Sequence, residues 1–305
     1  MEDRLIIVGG GPAALTASIY ASRYGIKNIV LAESFGGEIA KAYQVENYPG
    51  FDPISGYDLS QKIKKHAESY DEAELVMSKV EKIERNENEI KIFANKEYSA
   101  SAIILAHGLK RRKLNIPGEK DYEGKGVNYC TTCDAPLYRN KTVAVIGGAN
   151  SAATSALLLS KYASKVYLIM IEKEMIAEKS WIEKVNEDPK ITIINETGLE
   201  SIEGDQIIRS VTLSKEYDGS KKLLLDGIFI VIGYEPDTKF SDMLGLPVDE
   251  AKKIVVGKYC ETSISGVYAA GDICDKFGNF SQILTAEAAG AAAAFGAYQF
   301  LSKKA

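Results

Sequence analysis

Residues 5–18 read LIIVGGGPAALTAS. An apolar run makes a buried strand, and Gly9-Gly10-Gly11-Pro12-Ala13-Ala14 makes a turn. The Ala-rich stretch to Tyr24 predicts a helix, and Asn28 to Ala32 predicts a second strand ending in Glu33. This is G-x-G-x-x-A in the setting that gives the motif its meaning. Gly9 permits the tight turn, Gly11 lets the backbone approach a pyrophosphate, and Ala14 allows helix and strand to pack closely. Phosphates favour the helix N-terminus, where free N–H groups and the helix dipole attract negative charge. Glu33 is placed to accept hydrogen bonds from a ribose diol. A dinucleotide is expected here.

The layout recurs one domain later. Thr142 to Ile146 predicts a strand, Gly147-Gly148-Ala149-Asn150-Ser151-Ala152 the turn, Ala153 to Tyr162 the helix and Val166 to Ile171 the next strand. The repeat predicts an α/β protein of two Rossmann-like dinucleotide-binding domains. Ala149 stands where the middle glycine should be. Near the C-terminus, SISGVYAAGD (263–272) precedes the small-residue stretch QILTAEAAGAAAAFGAYQFL (282–301). Asp272 either accepts from a ligand hydroxyl of the first domain or caps that helix.

A chain of 305 residues, 46% hydrophobic and 26% charged, is long enough for two globular domains. No apolar run approaches the roughly 18 residues of a membrane helix, so no membrane association is expected. A net charge of −5 without a long basic run argues against nucleic acid as partner. Four cysteines without a secretion signal point to a reducing compartment, and the cytoplasm is expected.

In NYCTTCDAPL (128–137), Cys130 and Cys133 flank two threonines. Half a zinc site, a pair of inert buried thiols and a redox pair are the three readings. Zinc needs two more ligands, and Cys260, Cys274, His66 and His107 offer no ligand spacing. The redox reading is favoured because C-x-x-C closes a small disulfide ring that reopens readily. Asp134 directly follows and could pass protons during exchange, or merely cap a helix.

These pieces, in this order, resemble the low-molecular-weight FAD-dependent thioredoxin reductases. The resemblance covers the whole chain and rests on VGGGPAALTASIYASR, GGEIA (36–40), VENYPGF (45–51), YCTTCDAP (129–136), IGGANSA and SISGVYAAGD. It implies a discontinuous FAD domain, residues 1–112 and 239–305, with the C-x-x-C domain, 113–238, inserted into it. FAD would be held by Gly9, Gly11, Pro12, Ala13, Glu33, Gly37, Glu38, Asn47, Gly271, Asp272 and Gln282. Cys133 would face the flavin, Cys130 would exchange with the protein substrate, and Asp134 would donate the proton. Hinges at 109–119 and 233–240, a homodimer, and thioredoxin or a glutaredoxin-like protein as partner are also implied.

The departures cluster on the nicotinamide side. Ala149 replaces the family's middle glycine. Met170, Ile171 and Glu172 stand where the family has H-R-R, and no arginine lies between Arg139 and Arg209. Gly147, Gly148, Asn150 and Ser151 remain as a weak NAD(P)H site, with Lys173 and Lys179 as weaker phosphate partners. His107 replaces the Thr of the family's A-T-G and is expected to pack as a neutral histidine, its other reading being to tune flavin electrostatics. Ser281 replaces an Arg. Thr131 and Ala135 replace Ala and Gly of the family's C-A-T-C-D-G. Cys260 and Cys274 are expected to be small buried residues. The function expected is an FAD-dependent thiol–disulfide oxidoreductase, its electrons coming from weakly bound NADPH, NADH or another donor such as ferredoxin. A dithiol oxidase using oxygen and a non-catalytic flavin sensor are the alternatives.

Overall fold

Leu5–Val8 is buried along its whole length, as a parallel strand covered on both faces must be. It pairs in parallel with Asn28–Ala32 on one side and Ala102–Leu105 on the other. Ala73–Met77 and Val267–Ala269 complete the sheet at its two edges. The computed structural model describes residues 5–86, 89–278 and 280–303. It divides into two units, one of Met1–Lys110 with Glu235–Ala305 and one of Arg111–Tyr234. The sequence-based borders at 112/113 and 238/239 lie a few residues further along. The two crossings fall in Leu109–Arg111 and Tyr234–Pro236, which pair as a two-stranded sheet.

In the first unit, one sheet face carries the helices Pro12–Arg23 and Ile283–Leu301. Their approach explains the small residues of the last helix. A Cβ on Gly290 would lie 2.1 Å from the Ala13 carbonyl oxygen, and alanines fill most of the remaining contact. That helix is capped by Gln282 in a reciprocal box with Thr285, not by Asp272. The opposite face packs Ile6, Val8, Ile103 and Leu105 toward an antiparallel sheet of Lys82–Arg85, Ile90–Phe93 and Glu97–Ala100. The three strands form a β-meander within the polar stretch 81–100.

The second unit repeats the plan. Thr142–Ile146 is central, with Lys165–Ile169 and Ile191–Ile194 on one side and Gly227–Ile230 and Val127–Asn128 on the other, all parallel. Its helix runs Asn150–Ser160, starting ahead of the expected Ala153 because the Ala149 carbonyl already accepts from Ala153 N. A second antiparallel sheet, Leu199–Gly204, Ile208–Tyr217 and Ser220–Leu224, lies beside the parallel one. The stretch 218–233 is therefore divided between two sheets. Its first strand joins the antiparallel sheet, while Gly227–Ile230, buried throughout, joins the parallel sheet. Among the described residues no helix is long and apolar enough to cross a membrane.

The helix contact yields a stability prediction. Gly290→Ala drives a methyl into backbone that has no rotamer to relieve it, so it should cost about 1–3 kcal/mol. A lowered Tm is expected in thermal denaturation, and an unchanged Tm would mean that the two helices separate at no cost.

Candidate active site

Cys130 and Cys133 lie in the second unit and are joined by a disulfide, their Cα atoms 5.4 Å apart. Both sulfurs are thereby committed to each other, which favours the redox reading of the pair. Cys130 precedes the helical turn Thr131–Asp134, Cys133 lies within it, and Ala135–Tyr138 follows as a 3-10 turn. Cys130 is half-buried and Cys133 exposed.

The turn is anchored on both sides. The Asn128 side-chain amide donates to Tyr138 Oη at 2.7 Å and to the Ile228 carbonyl at 3.2 Å. Gly227 has no Cβ because Tyr138 occupies the space, with a ring carbon 2.2 Å from where one would be. Arg111 donates to the Tyr129 carbonyl, next to Cys130. The Tyr129 hydroxyl donates to Glu119 Oε1 at 2.8 Å. Glu119, itself buried, also accepts from Leu114 N at 3.0 Å and Asn115 N at 2.6 Å. Thr131 Oγ1 donates to Ser155 Oγ at 3.0 Å, tying the turn to the helix Asn150–Ser160. That bond gives the Thr-for-Ala departure a structural role. Ala135 has φ −52 and is fully buried, so the position does not need glycine.

Asp134 makes no side-chain capping bond to the 3-10 turn it precedes. Burial pushes its carboxyl above the ordinary carboxylate range, with Arg111 opposing. A carboxyl shifted upward holds its proton longer, as a donor to a departing thiolate should.

The first glycine turn brings several sequence candidates together. Gly9 has φ 128, and a Cβ there would fall 2.1 Å from the Ala106 carbonyl oxygen. Gly37 backs onto Gly11, and Gly271 onto the Ala13 side chain. Asn47 Nδ2 donates to Gln282 Oε1 at 3.0 Å. Burial pushes the Asp272 carboxyl up, against the pull of Lys253 and a hydrogen bond with Ser281. Ser281 thus contacts the acid itself at the place where the family has Arg. Glu33 and Glu38 face solvent, ion-paired with Lys79 at 3.6 Å and with Lys41. Pro12 opens the helix at its first position, where a missing N–H costs nothing.

The second turn has the same backbone and different chemistry. Gly11 precedes its helix at φ −84, ψ −173, and Ala149 precedes its own at φ −101, ψ −176. Any residue adopts these angles, so Gly11 is not required by conformation. Nor does the surrounding protein require it: a Cβ there would meet nothing nearer than Gly37 Cα at 3.8 Å, so glycine leaves an open space at this position. At Ala149 a methyl group fills the corresponding place. Gly147 keeps the tight turn at φ 138, its absent Cβ 2.2 Å from the Val231 carbonyl oxygen. A Cβ on Gly148 would lie 2.9 Å from Glu172 Oε2. Asn150 is engaged by Glu178, accepting from its backbone N at 2.7 Å and donating to its Oε1 at 3.1 Å. Ser151 is exposed. A Cβ on Gly10 would strike Ala32 and Ser34, and one on Gly148 would strike Met170 and Glu172. Glu33, between the first two, therefore corresponds to Ile171, which is 73% exposed. Ile176, whose N donates to the Gly148 carbonyl, is also exposed.

The model of the pyridine nucleotide-disulphide oxidoreductase family matches residues 3–293. The chain belongs to that family. It is 37% identical to the "34.2 kDa protein in rubredoxin operon" of Clostridium pasteurianum, over 98% of this chain and 97% of that one. The solved thioredoxin reductase of Lactococcus lactis aligns at 34% identity with a TM-score of 0.92, covering 99% of this chain and 100% of its own. A ferredoxin-flavin thioredoxin reductase from Clostridium acetobutylicum aligns at 31% identity with a TM-score of 0.53, covering 99% of each chain. The protein is a thiol–disulfide oxidoreductase of the thioredoxin-reductase type.

This family implies FAD, and the first turn fits it. The space beside Gly11 is clear, and the buried Nδ1 of His107 has no partner, the one such side-chain atom among the described residues. His107 Nε2 lies 3.1 Å from the Asp237 carbonyl, its ring packs edge-on to Phe240 at 5.0 Å, and burial lowers its pKa. The imidazole is therefore neutral, as expected from sequence, but not wholly satisfied by packing.

Residues without a motif escaped sequence reading. Arg111, Glu119 and Tyr129 brace the disulfide turn, and the buried Lys253 sits near Asp272. Tyr48 donates to Glu287 Oε2 at 2.9 Å; burial first, then that bond, raises the phenol to about 12. Only Tyr48 carried a signal, its place in VENYPGF.

The brace gives a second prediction. Glu119 faces three donors, so Glu119→Gln turns an amide NH₂ toward one of them. It should destabilise the protein by about 1–3 kcal/mol, seen as a lower denaturant midpoint. An unchanged midpoint would mean that the carboxylate does not hold the approach to Cys130.

Proposed function

We propose that this protein reduces the disulfide of thioredoxin or a similar small redox protein, with electrons from a donor other than a nicotinamide dinucleotide, of the ferredoxin kind. The observation that carries this reading is the contrast between the two glycine turns. The first keeps an open space at Gly11 and an acid, Glu33, at the end of its second strand. The second puts a methyl at Ala149, Ile171 where that acid would stand, and the Glu172 carboxylate beside Gly148. NADPH needs cations for its 2′-phosphate, and NADH needs an acceptor for its ribose diol. Ile171 offers neither. The Clostridium acetobutylicum relative, a ferredoxin-flavin thioredoxin reductase, supports a protein donor.

In this reading FAD is held by Gly9, Gly11, Pro12, Ala13 and Gly37 at the turn, with Glu33, Glu38, Asn47, Gly271, Asp272 and Gln282 around it. When bound, it supplies the electron pair that opens Cys130–Cys133. The opened pair then works by thiol–disulfide exchange. The Cys130 thiolate attacks one sulfur of the substrate disulfide and releases the other as a thiolate, which Asp134 protonates. Cys133 then attacks Cys130 Sγ, releases the substrate dithiol and restores the Cys130–Cys133 disulfide. Residues 1–112 with 239–305 form the FAD part and 113–238 the inserted part, with hinges at 109–119 and 233–240. The molecule works as a homodimer in the cytoplasm.

Anaerobic absorption spectra of the flavoprotein test the donor. Reduced ferredoxin should bleach the flavin band within seconds, while micromolar NADPH or NADH should leave it unchanged. Rapid bleaching by either nucleotide would overturn the reading of Ala149 and Ile171.

The proton role of Asp134 has a pH signature. Its raised pKa means that the acid form is present at low pH and is lost as pH rises through that pKa, so turnover limited by thiolate protonation falls on the same side. Asp134→Asn should lower disulfide turnover by about 10²–10⁴-fold and erase that limb of the pH–rate profile. A variant that keeps the limb would assign it to another group.

A further inference from the structure

The loop 45–54 of the first unit closes on itself. Val45 N donates to the Ile54 carbonyl at 2.8 Å, and Ile54 N returns the bond at 3.1 Å. Between these two residues, 46–53 send no backbone–backbone hydrogen bond to a described residue outside the loop. Side chains must therefore hold it in place. Two of them reach the helix Ile283–Leu301. Tyr48 Oη donates to Glu287 Oε2 at 2.9 Å and lies 3.2 Å from Oε1. Asn47 Nδ2 donates to Gln282 Oε1 at 3.0 Å. The Tyr48 ring and Ile283 pack against the same buried cluster of Ile39, Val45 and Leu59.

Glu287 is unlike the rest of its helix. It is the one charged residue in ILTAEAAGAAAAFGAYQFL, and it is half-buried. A carboxylate drawn out of water costs free energy unless it is hydrogen-bonded. The helix does not need this acid as a cap, because Gln282 and Thr285 already form the reciprocal box. Nor does Glu287 stand in the first turn, where the helix dipole favours an acid most. Its place is explained by what it meets, the hydroxyl of Tyr48.

We propose that Tyr48 and Glu287 are a positioning pair, whose hydrogen bond locks the loop 45–54 onto the helix Ile283–Leu301 and presets the Asn47 and Gln282 amides for FAD. Tyr48 is the chain neighbour of Asn47, so fixing one fixes the other. The Gln282 side chain accepts both from the Thr285 backbone N–H and from Asn47. Gln282 Nε2 and Asn47 Oδ1 then have no hydrogen-bond partner among the described residues, so one donor and one acceptor remain for a ligand. Without the lock, fewer molecules hold both amides in place, and affinity falls with that fraction. The inference rests on the assignment of Asn47 and Gln282 to FAD and is independent of the electron donor.

The test follows FAD release from diluted holoenzyme by the recovery of flavin fluorescence, together with the visible circular dichroism of the bound flavin and the Tm. Tyr48→Phe removes only the hydroxyl, and it should speed release about tenfold and alter the dichroism bands. Glu287→Leu should do the same. Glu287→Gln keeps an oxygen that accepts from Tyr48 and should restore slow release. Tyr48→Phe combined with Glu287→Leu should release FAD no faster than either change alone, because both remove one bond. Asn47→Ala tests the underlying assignment by itself and should also speed release. Faster release from Asn47→Ala, with Tyr48→Phe and Glu287→Leu lowering only the Tm, would overturn the positioning role and leave the assignment standing. An unchanged rate in Asn47→Ala would remove the assignment and the proposal with it. Glu287→Gln as fast as Glu287→Leu would also sink the proposal, since the hydrogen bond would then not be what matters.

Discussion

Both halves of this molecule depend on one steric constraint, the passage of a strand-to-helix turn across the end of a neighbouring strand. At Gly9 and Gly147 the backbone takes φ near 130 and presses against the carbonyls of Ala106 and Val231, leaving no room for a Cβ. With the turn so fixed, the helix N-terminus comes to the carboxyl end of a parallel sheet, where open α/β folds bind ligands. Everything else in each unit follows that geometry: the buried central strand, the matching strand order and the small residues where helices meet the turn. Ligand binding is a further demand, placed on the next positions. The two turns meet it unequally, because Gly11 leaves space that Ala149 fills.

The separation of fold from grip explains what the sequence made legible. Apolar runs and glycine turns predicted the strands Asn28–Ala32 and Thr142–Ile146 to the residue, because buried parallel strands carry unbroken apolar sequence. The resemblance through VGGGPAALTAS and YCTTCDAP supplied the candidate roles. Boundaries were less legible: the second helix begins at Asn150 through a backbone bond to Ala149 that composition does not express. The supports of the disulfide turn were not legible at all. Arg111 and Glu119 come from a charged linker-like stretch, and only tertiary contact shows that one holds the Tyr129 carbonyl and the other its hydroxyl.

The departures from the family pattern fall into two physical kinds. Some are compensated by contacts within the protein: Thr131 bonds Ser155, Ser281 bonds Asp272, and Ala135 occupies a helical backbone that needs no glycine. Others face outward without compensation. Ile171 exposes an apolar side chain beside the second turn, and Ala149 presents its methyl there. Packing explains the first kind and cannot explain the second, since exposed isoleucines contribute little to stability. The outward substitutions therefore bear on what approaches this turn, not on whether the unit folds.

Accessibility then sorts the four cysteines. In Cys130–Cys133 one sulfur-bearing residue is exposed on a short helical turn, and a nearby carboxyl is shifted to hold a proton. Neither cysteine of this pair is fully buried, so exchange does not wait on opening of the core. Cys260 and Cys274 instead sit inside the hydrophobic core. Their reactivity is limited by how often the surrounding segment opens, whatever the thiolate fraction. Thiols in one chain can thus differ in rate by the opening equilibrium alone.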